Sequence, residues 1–96
     1  MSVEDLLASV AEHQAPPADF SQELKALWLT KKDRWKEAHE VAQEIESAWG
    51  SWMHAHLHLI EGDIGNAGYW YTRAGKPAGS RETLDSEWRA LAEAIL

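Results

Sequence analysis

Residues 52–63 run WMHAHLHLIEGD, and the fold of the whole chain turns on how they are read. His54, His56 and His58 alternate with Ala55, Leu57 and Leu59, a pattern that fits a half-buried strand if taken alone. The flanks argue for a helix: Trp52, Met53 and Ile60 extend the apolar set at helical spacing, and Gly62 supplies a stop. At roughly 100° per residue, Trp52, Met53, Ala55, Leu57, Leu59 and Ile60 span a wide arc centred on His56. His54, His58 and Glu61 then share the opposite face. A helix over 52–61 is the expectation, with one histidine inside the apolar arc and two outside it.

The same periodicity extends in both directions. Asp63 is placed to cap a helix over 64–75, with Ile64, Ala67, Trp70, Tyr71 and Ala74 on one face and Gly75 with Pro77 as its stop. After Ser80, residues Leu84, Trp88, Leu91 and Ile95 define a helix over 81–95. Upstream, Trp35, Ala38, Ala42, Ile45 and Trp49 form a seam that predicts one continuous helix over 34–49. On this reading Asp33 starts the helix, Gly50 ends it in the left-handed conformation, and Ser51 caps the next. Asp19 with Gln22 suggests a capped helix over 20–32, its stripe being Phe20, Leu24, Leu27 and Trp28. Ser2 with Asp5 caps a first helix over 3–13, with Val3, Leu6, Leu7 and Val10 on one side and Pro16 and Pro17 beyond its end. The expected fold class is all-α: a compact bundle of about six short helices in one domain, 1–96. Short connections make successive helices antiparallel neighbours, two pairs of them as hairpins.

Composition narrows the function classes. A chain of 96 residues with 45% hydrophobic content can close a core without cross-links, and the absence of cysteine excludes disulfides, thiolate metal sites and cysteine nucleophiles. Sixteen acidic against nine basic residues give a net charge of -7, which repels nucleic acid and anionic lipid, so neither is an expected partner. The basic cluster Lys31, Lys32, Arg34 and Lys36 reads as a solvated helix junction. Glu4 and Asp5 stand where a secretory signal carries basic residues, and no apolar run approaches a membrane span, so a cytoplasmic location is expected. Six tryptophans, at 28, 35, 49, 52, 70 and 88, are core-building residues first, each wanting a partner for its N–H.

Placing Ala38 over Ala67 aligns Ala26 with Ala55, Asp33 with Gly62 and Arg34 with Asp63, an internal repeat of two helix-turn-helix units. The second unit carries Gly62, Asp63, Ala67, Tyr71 and Ala74 and resembles the turn and second helix of tetratricopeptide and Sel1-like repeats. The first unit departs from that pattern, with Asp33 for the turn glycine and Ala42 in the place of Tyr71. Two units fall short of the three or so such arrays need, so the first and last helices are expected to close the core as caps. The strings Trp52-x-His54-Ala55-x-Leu57-His58-x-x-Glu61-Gly62-Asp63 and Asn66-Ala67-x-Tyr69-Trp70-Tyr71 are also similar to those of a group of short bacterial proteins. That resemblance implies a bacterial source and a helical fold and carries no activity.

The histidines are the one constellation with chemistry in it. His56, in the apolar arc, is expected as a core histidine held by one hydrogen bond. His54, His58 and Glu61 share a stripe, and a bundle can set His39 opposite them; such a set can hold zinc or another divalent ion with water in the remaining position, a hydrolytic site in principle. If the repeat alignment holds, His54 and His58 instead point at a neighbouring helix and bond Tyr69, Trp70 or Gln43; a third reading leaves them solvated. Ala55 follows His54, so the His-Glu-x-x-His proteases do not match. Asn66 supports a helix cap or touches a ligand, and Tyr69 with Arg73 makes a surface cation and ring pair or the edge of an interface. Gly62, Gly65 and Gly68 lack the strand and lysine of a phosphate loop, and no serine has a base beside it.

Two functions follow as expectations. The first is a non-enzymatic interaction or scaffold module that takes a protein segment or a second copy of itself as a homodimer, with His39, Gln43, Asn66, Tyr69, Trp70 and Arg73 as contact candidates. The alternative is a small metal- or ligand-binding protein using His39, His54, His58 and Glu61.

Overall fold

A seven-residue run, Met53 to Leu59, is buried without interruption in the computed structural model, which describes residues 1–96. Only a helix surrounded by others can bury every side of itself, and this is α4, Ala48–Glu61, which packs on α5, α3, α6 and α2. The alternation of residues 53–59 therefore belongs to a central helix and not to a strand. The complete order is α1 (Val3–Glu12), α2 (Gln22–Lys31), α3 (Trp35–Gln43), α4, α5 (Ile64–Ala74), a 3-10 turn (Arg81–Thr83) and α6 (Leu84–Glu93). No strand forms, and the Cα radius of gyration is 12.3 Å, near the roughly 12.5 Å expected of a compact chain this long. No helix is long and apolar enough to cross a membrane.

The main core gathers Leu6 from α1, Ala26 to Leu29 from α2, Ala38 and Ala42 from α3, Met53 and Leu57 from α4, and Trp88, Leu91 and Ala92 from α6. A smaller cluster of Ala55, Leu59, Ala67 and Tyr71 joins α4 to α5, whose alanines let the two helices approach closely. α2 and α3, also successive, pack on each other. Asp33 and Gly62, the two residues set over one another by the internal alignment, are both left-handed, with φ of 62° and 87°. Gly62 adopts that region freely, whereas Asp33 does so as a non-glycine residue.

Several boundaries differ from the sequence reading, each for a local reason. The seam from Trp35 to Trp49 does not form one helix: α3 stops at Gln43, and Ser47 starts α4 by accepting the Gly50 N–H at 3.0 Å. Trp49 and Gly50 thus open α4, and Ser51 lies inside it. Gly50 is right-handed and is required for proximity instead: a Cβ there would lie 2.0 Å from the Ile45 carbonyl oxygen. Ser21, not Asp19, caps α2 by accepting the Leu24 N–H, and Arg34 precedes α3 without any side-chain cap. Ile64, expected on the buried face of α5, is 60% exposed. The basic junction is used structurally, since Lys32 donates to the Val10 and His13 carbonyls at the end of α1 and Arg34 holds Glu37 and the Gln14 carbonyl. The expected caps at Ser2 with Asp5, at Asp63, and at left-handed Gly62 and Gly75 are all present.

Candidate functional site

Because α4 is central, its alternating histidines face two different neighbours. His54 and His58 meet α3, and His56 meets α6. α3 contributes Trp35 and His39, four residues apart on one face, and the Trp35 N–H donates to the Leu57 carbonyl at 2.7 Å, fixing α3 across α4. The His39 ring stacks on Trp35 with centroids 4.9 Å apart, and its Nε2 lies 2.9 Å from His54 Nε2. His58 stands behind both, its ring centroid 5.2 Å from His39 and 4.9 Å from His54. On the far side, the His54 ring lies flat against Trp70 of α5 at 3.9 Å. The result is an aromatic file, Trp35, His39, His54, Trp70, with His58 flanking its centre.

One ring nitrogen from each of His39, His54 and His58 lies within 4.8 Å of the others. Two nitrogens on one tetrahedral zinc stand roughly 3.3 Å apart, a separation between the 2.9 Å of the His39 and His54 pair and that outer bound. His58 keeps one nitrogen for Glu61, with Nδ1 and Oε1 3.2 Å apart, the carboxylate support that orients a metal-binding imidazole. Glu61 does not join the three-histidine set; it groups with His58 and Asp63 at the exposed edge. Burial pushes the His54 imidazole down to about 4, with His39 and His58 adding to the effect. His39 is also lowered, by burial and then by His58, against the opposing pull of Glu61 and Glu40. Both rings are therefore neutral near pH 7, the form that ligates a metal.

The opposite side of α4 carries a site that the sequence reading left incomplete. His56 is the core histidine expected, 2% exposed, and its Nδ1 lies 2.6 Å from Glu87 Oε1. Glu87 also accepts from the Tyr71 hydroxyl at 2.7 and 2.8 Å and from the Trp52 N–H at 3.2 Å. Burial pushes this carboxyl up, but the hydrogen bonds from His56, Tyr71 and Trp52 outweigh it and hold the group below its ordinary range. The Tyr71 hydroxyl is raised in turn by burial and by Glu87. The signal that could have found Glu87 is its spacing, three residues after Leu84 and four before Leu91 inside the apolar stripe of α6, taken together with a core histidine in need of a partner. Every buried polar side-chain atom in the chain has a partner.

A cleft of about 590 Å³ opens beside His54, between the end of α3, the first turns of α4 and the outer face of α5. Gln43, Glu46, Ser51, His54, Trp70 and Arg73 border it. It brings together three of the six expected contact residues, Gln43, Trp70 and Arg73, and sets His39 behind His54. Asn66 stays apart as part of the α5 cap, both its N–H and side-chain amide bonding Asp63. Tyr69 is 55% exposed and accepts from Arg73 Nη1 at 3.3 Å, so the surface pair expected of them does form.

Fold and site together define a small all-α protein with a buried imidazole cluster beside an open cleft. No family model, curated protein or solved structure matches the chain.

Proposed function

We propose that the chain is a metal-binding protein that holds one divalent ion of the zinc class on His39, His54 and His58. The observation that carries this is the convergence of three imidazoles from two helices, their ligand atoms mutually within 4.8 Å and two of the residues only 6% exposed. Imidazole suits zinc, copper, nickel and iron, and hard cations such as magnesium prefer oxygen. Three protein ligands leave one position for water, the arrangement of catalytic zinc sites, so hydrolysis is open to the site in principle; binding is the step the geometry supports. Glu61 acts by orienting His58.

The interaction-module reading draws less support. Five of the six tryptophans use their N–H on internal hydrogen bonds. The large exposed apolar side chains are Met1, Ile64, Tyr69 and Leu96, two of them at the chain ends. Metal content of untagged protein, together with a thermal scan on adding zinc, tests the proposal. One equivalent of bound metal and a rise in Tm are expected, both abolished by His54→Ala with His58→Ala. Absence of binding by zinc, cobalt and copper, with an unchanged Tm, would sink it. A cluster that is only structural would lose stability in the double variant and show no response to metal in the native chain.

A further inference from the structure

The cleft beside His54 has a donor set that the fold itself leaves unanswered. Trp70 is the only tryptophan whose N–H has no hydrogen-bond partner in the chain, and it borders this cleft. Arg73 also borders it, forms no salt bridge, and donates only to the Tyr69 hydroxyl. The third polar group is His54, which is 6% exposed and hydrogen-bonds through Nε2 alone, leaving Nδ1 without a partner; Nδ1 is a donor in the tautomer whose Nε2 accepts from His39. Nδ1 is nonetheless not sealed off, because no buried polar atom is unsatisfied. The residues bordering this opening thus offer an indole N–H with no protein acceptor, a guanidinium that meets only the Tyr69 hydroxyl and an imidazole nitrogen without a partner, a set suited to an oxyanion.

We propose that this cleft binds a small carboxylate, held by Arg73 and the Trp70 N–H, with His54 Nδ1 adding a third donor when its Nε2 accepts from His39 or holds a metal ion. A monoanionic carboxylate is preferred over a more highly charged phosphate because Glu46 also borders the cleft. The Trp70 ring already stacks on His54 at 3.9 Å and has the Arg73 guanidinium 5.1 Å from its centroid, so the ligand is recognised by hydrogen bonds at its acid group and not by stacking. The site is coupled to the metal site through one ring. An ion on His54 Nε2 forces the proton onto Nδ1, and a metal-bound histidine binds best when its other N–H meets a carboxylate. Glu61 supplies that group for His58, and the bound carboxylate supplies it for His54. This coupling rests on the metal reading; the cleft contacts themselves do not.

The test is a titration of untagged protein with benzoate, and separately with sulfate, followed by nitrogen-proton NMR of the Trp70 indole and Arg73 side chain. Each is run metal-free and with one equivalent of zinc, and zinc binding is scored independently on the histidine ring signals. Saturable shifts with benzoate at or below about 1 mM are expected, weakened roughly tenfold in Arg73→Gln and severalfold in Trp70→Phe, which keeps the stacking ring and loses the N–H. Zinc should tighten benzoate severalfold, and by linkage benzoate should tighten zinc. No saturable shift up to about 10 mM in either metal state overturns the cleft, as does undiminished binding in Arg73→Gln. Sulfate binding tighter than benzoate overturns the choice of carboxylate. Zinc bound without any effect on benzoate overturns the coupling, and failure of zinc to bind overturns the metal reading while the metal-free arm still decides the cleft.

Discussion

His54 is the residue on which both proposals converge, and its protonation gives the metal-free protein a defined acid response. Its folded value of about 4 lies below the ordinary 6.5, so between those values the unfolded chain binds more protons than the folded one. The associated stability is present in full above about pH 6.5 and is lost as the pH falls towards 4; His39, shifted the same way, adds to the loss. A tenfold change in proton affinity is worth about 1.4 kcal/mol, and screening at a ring beside open solvent leaves on the order of 2 kcal/mol. Melting followed from pH 7 to pH 4 should therefore show a Tm lower by several degrees, with His54→Phe flattening the profile. Glu87 gives the contrasting case. Replacing it by Ala strands His56, Tyr71 and Trp52 together and should cost on the order of 3 kcal/mol in a denaturant titration, whereas Tyr71→Phe, which removes one donor, should cost about 1 kcal/mol.

Among the elements, α4 was legible in residues 52–63, while the boundary before it was not. Trp35, Ala38, Ala42, Ile45 and Trp49 keep helical spacing straight through a break, because the same apolar side chains serve two helices that meet at residues 44–47. A pattern of apolar positions reports the face that each residue buries and is blind to a change of axis. Gly50 misled for a related reason: a glycine is equally suited to positive φ and to close approach, and here the neighbouring Ile45 carbonyl decides. The distinction is measurable. Gly50→Ala should destabilise by more than about 2 kcal/mol through the clash, where a solvent-facing helical glycine such as Gly65 should gain up to about 1 kcal/mol from the same change. Ser47→Ala should cost about 1 kcal/mol as the lost cap of α4, and Ser51→Ala much less. Chemical denaturation of the four variants orders them.

Across the whole molecule, the fold class was readable from helical spacing, and the grouping of His39 with His54 and His58 was one of three arrangements the stripes allowed, the one that the burial of α4 on both histidine faces selects. The partner of His56 was missed: a carboxylate inside an apolar stripe is seen as surface unless a buried histidine elsewhere is known to need it. The cleft was out of reach altogether, since it arises where α3, α4 and α5 fail to fill the space between them. At this scale the metal reading predicts a concentration-dependent Tm. Zinc at about a hundred times its dissociation constant should add roughly 2.7 kcal/mol to the unfolding free energy, and a chelator should return it to the metal-free value.

Gly79 links these scales. A Cβ at this position would lie 2.8 Å from the Tyr71 hydroxyl and 3.1 Å from Glu87 Oε2, so the segment between α5 and α6 closes over the buried carboxylate with backbone alone. That makes the connection a gasket rather than a spacer: it keeps bulk water from a charge whose other contacts are all internal. Tolerance of the loop should then be uneven, with exposed Ala78 open to exchange, while Gly79→Val wedges the seal apart and lets amide protons of α6 trade with heavy water far faster than those of α1.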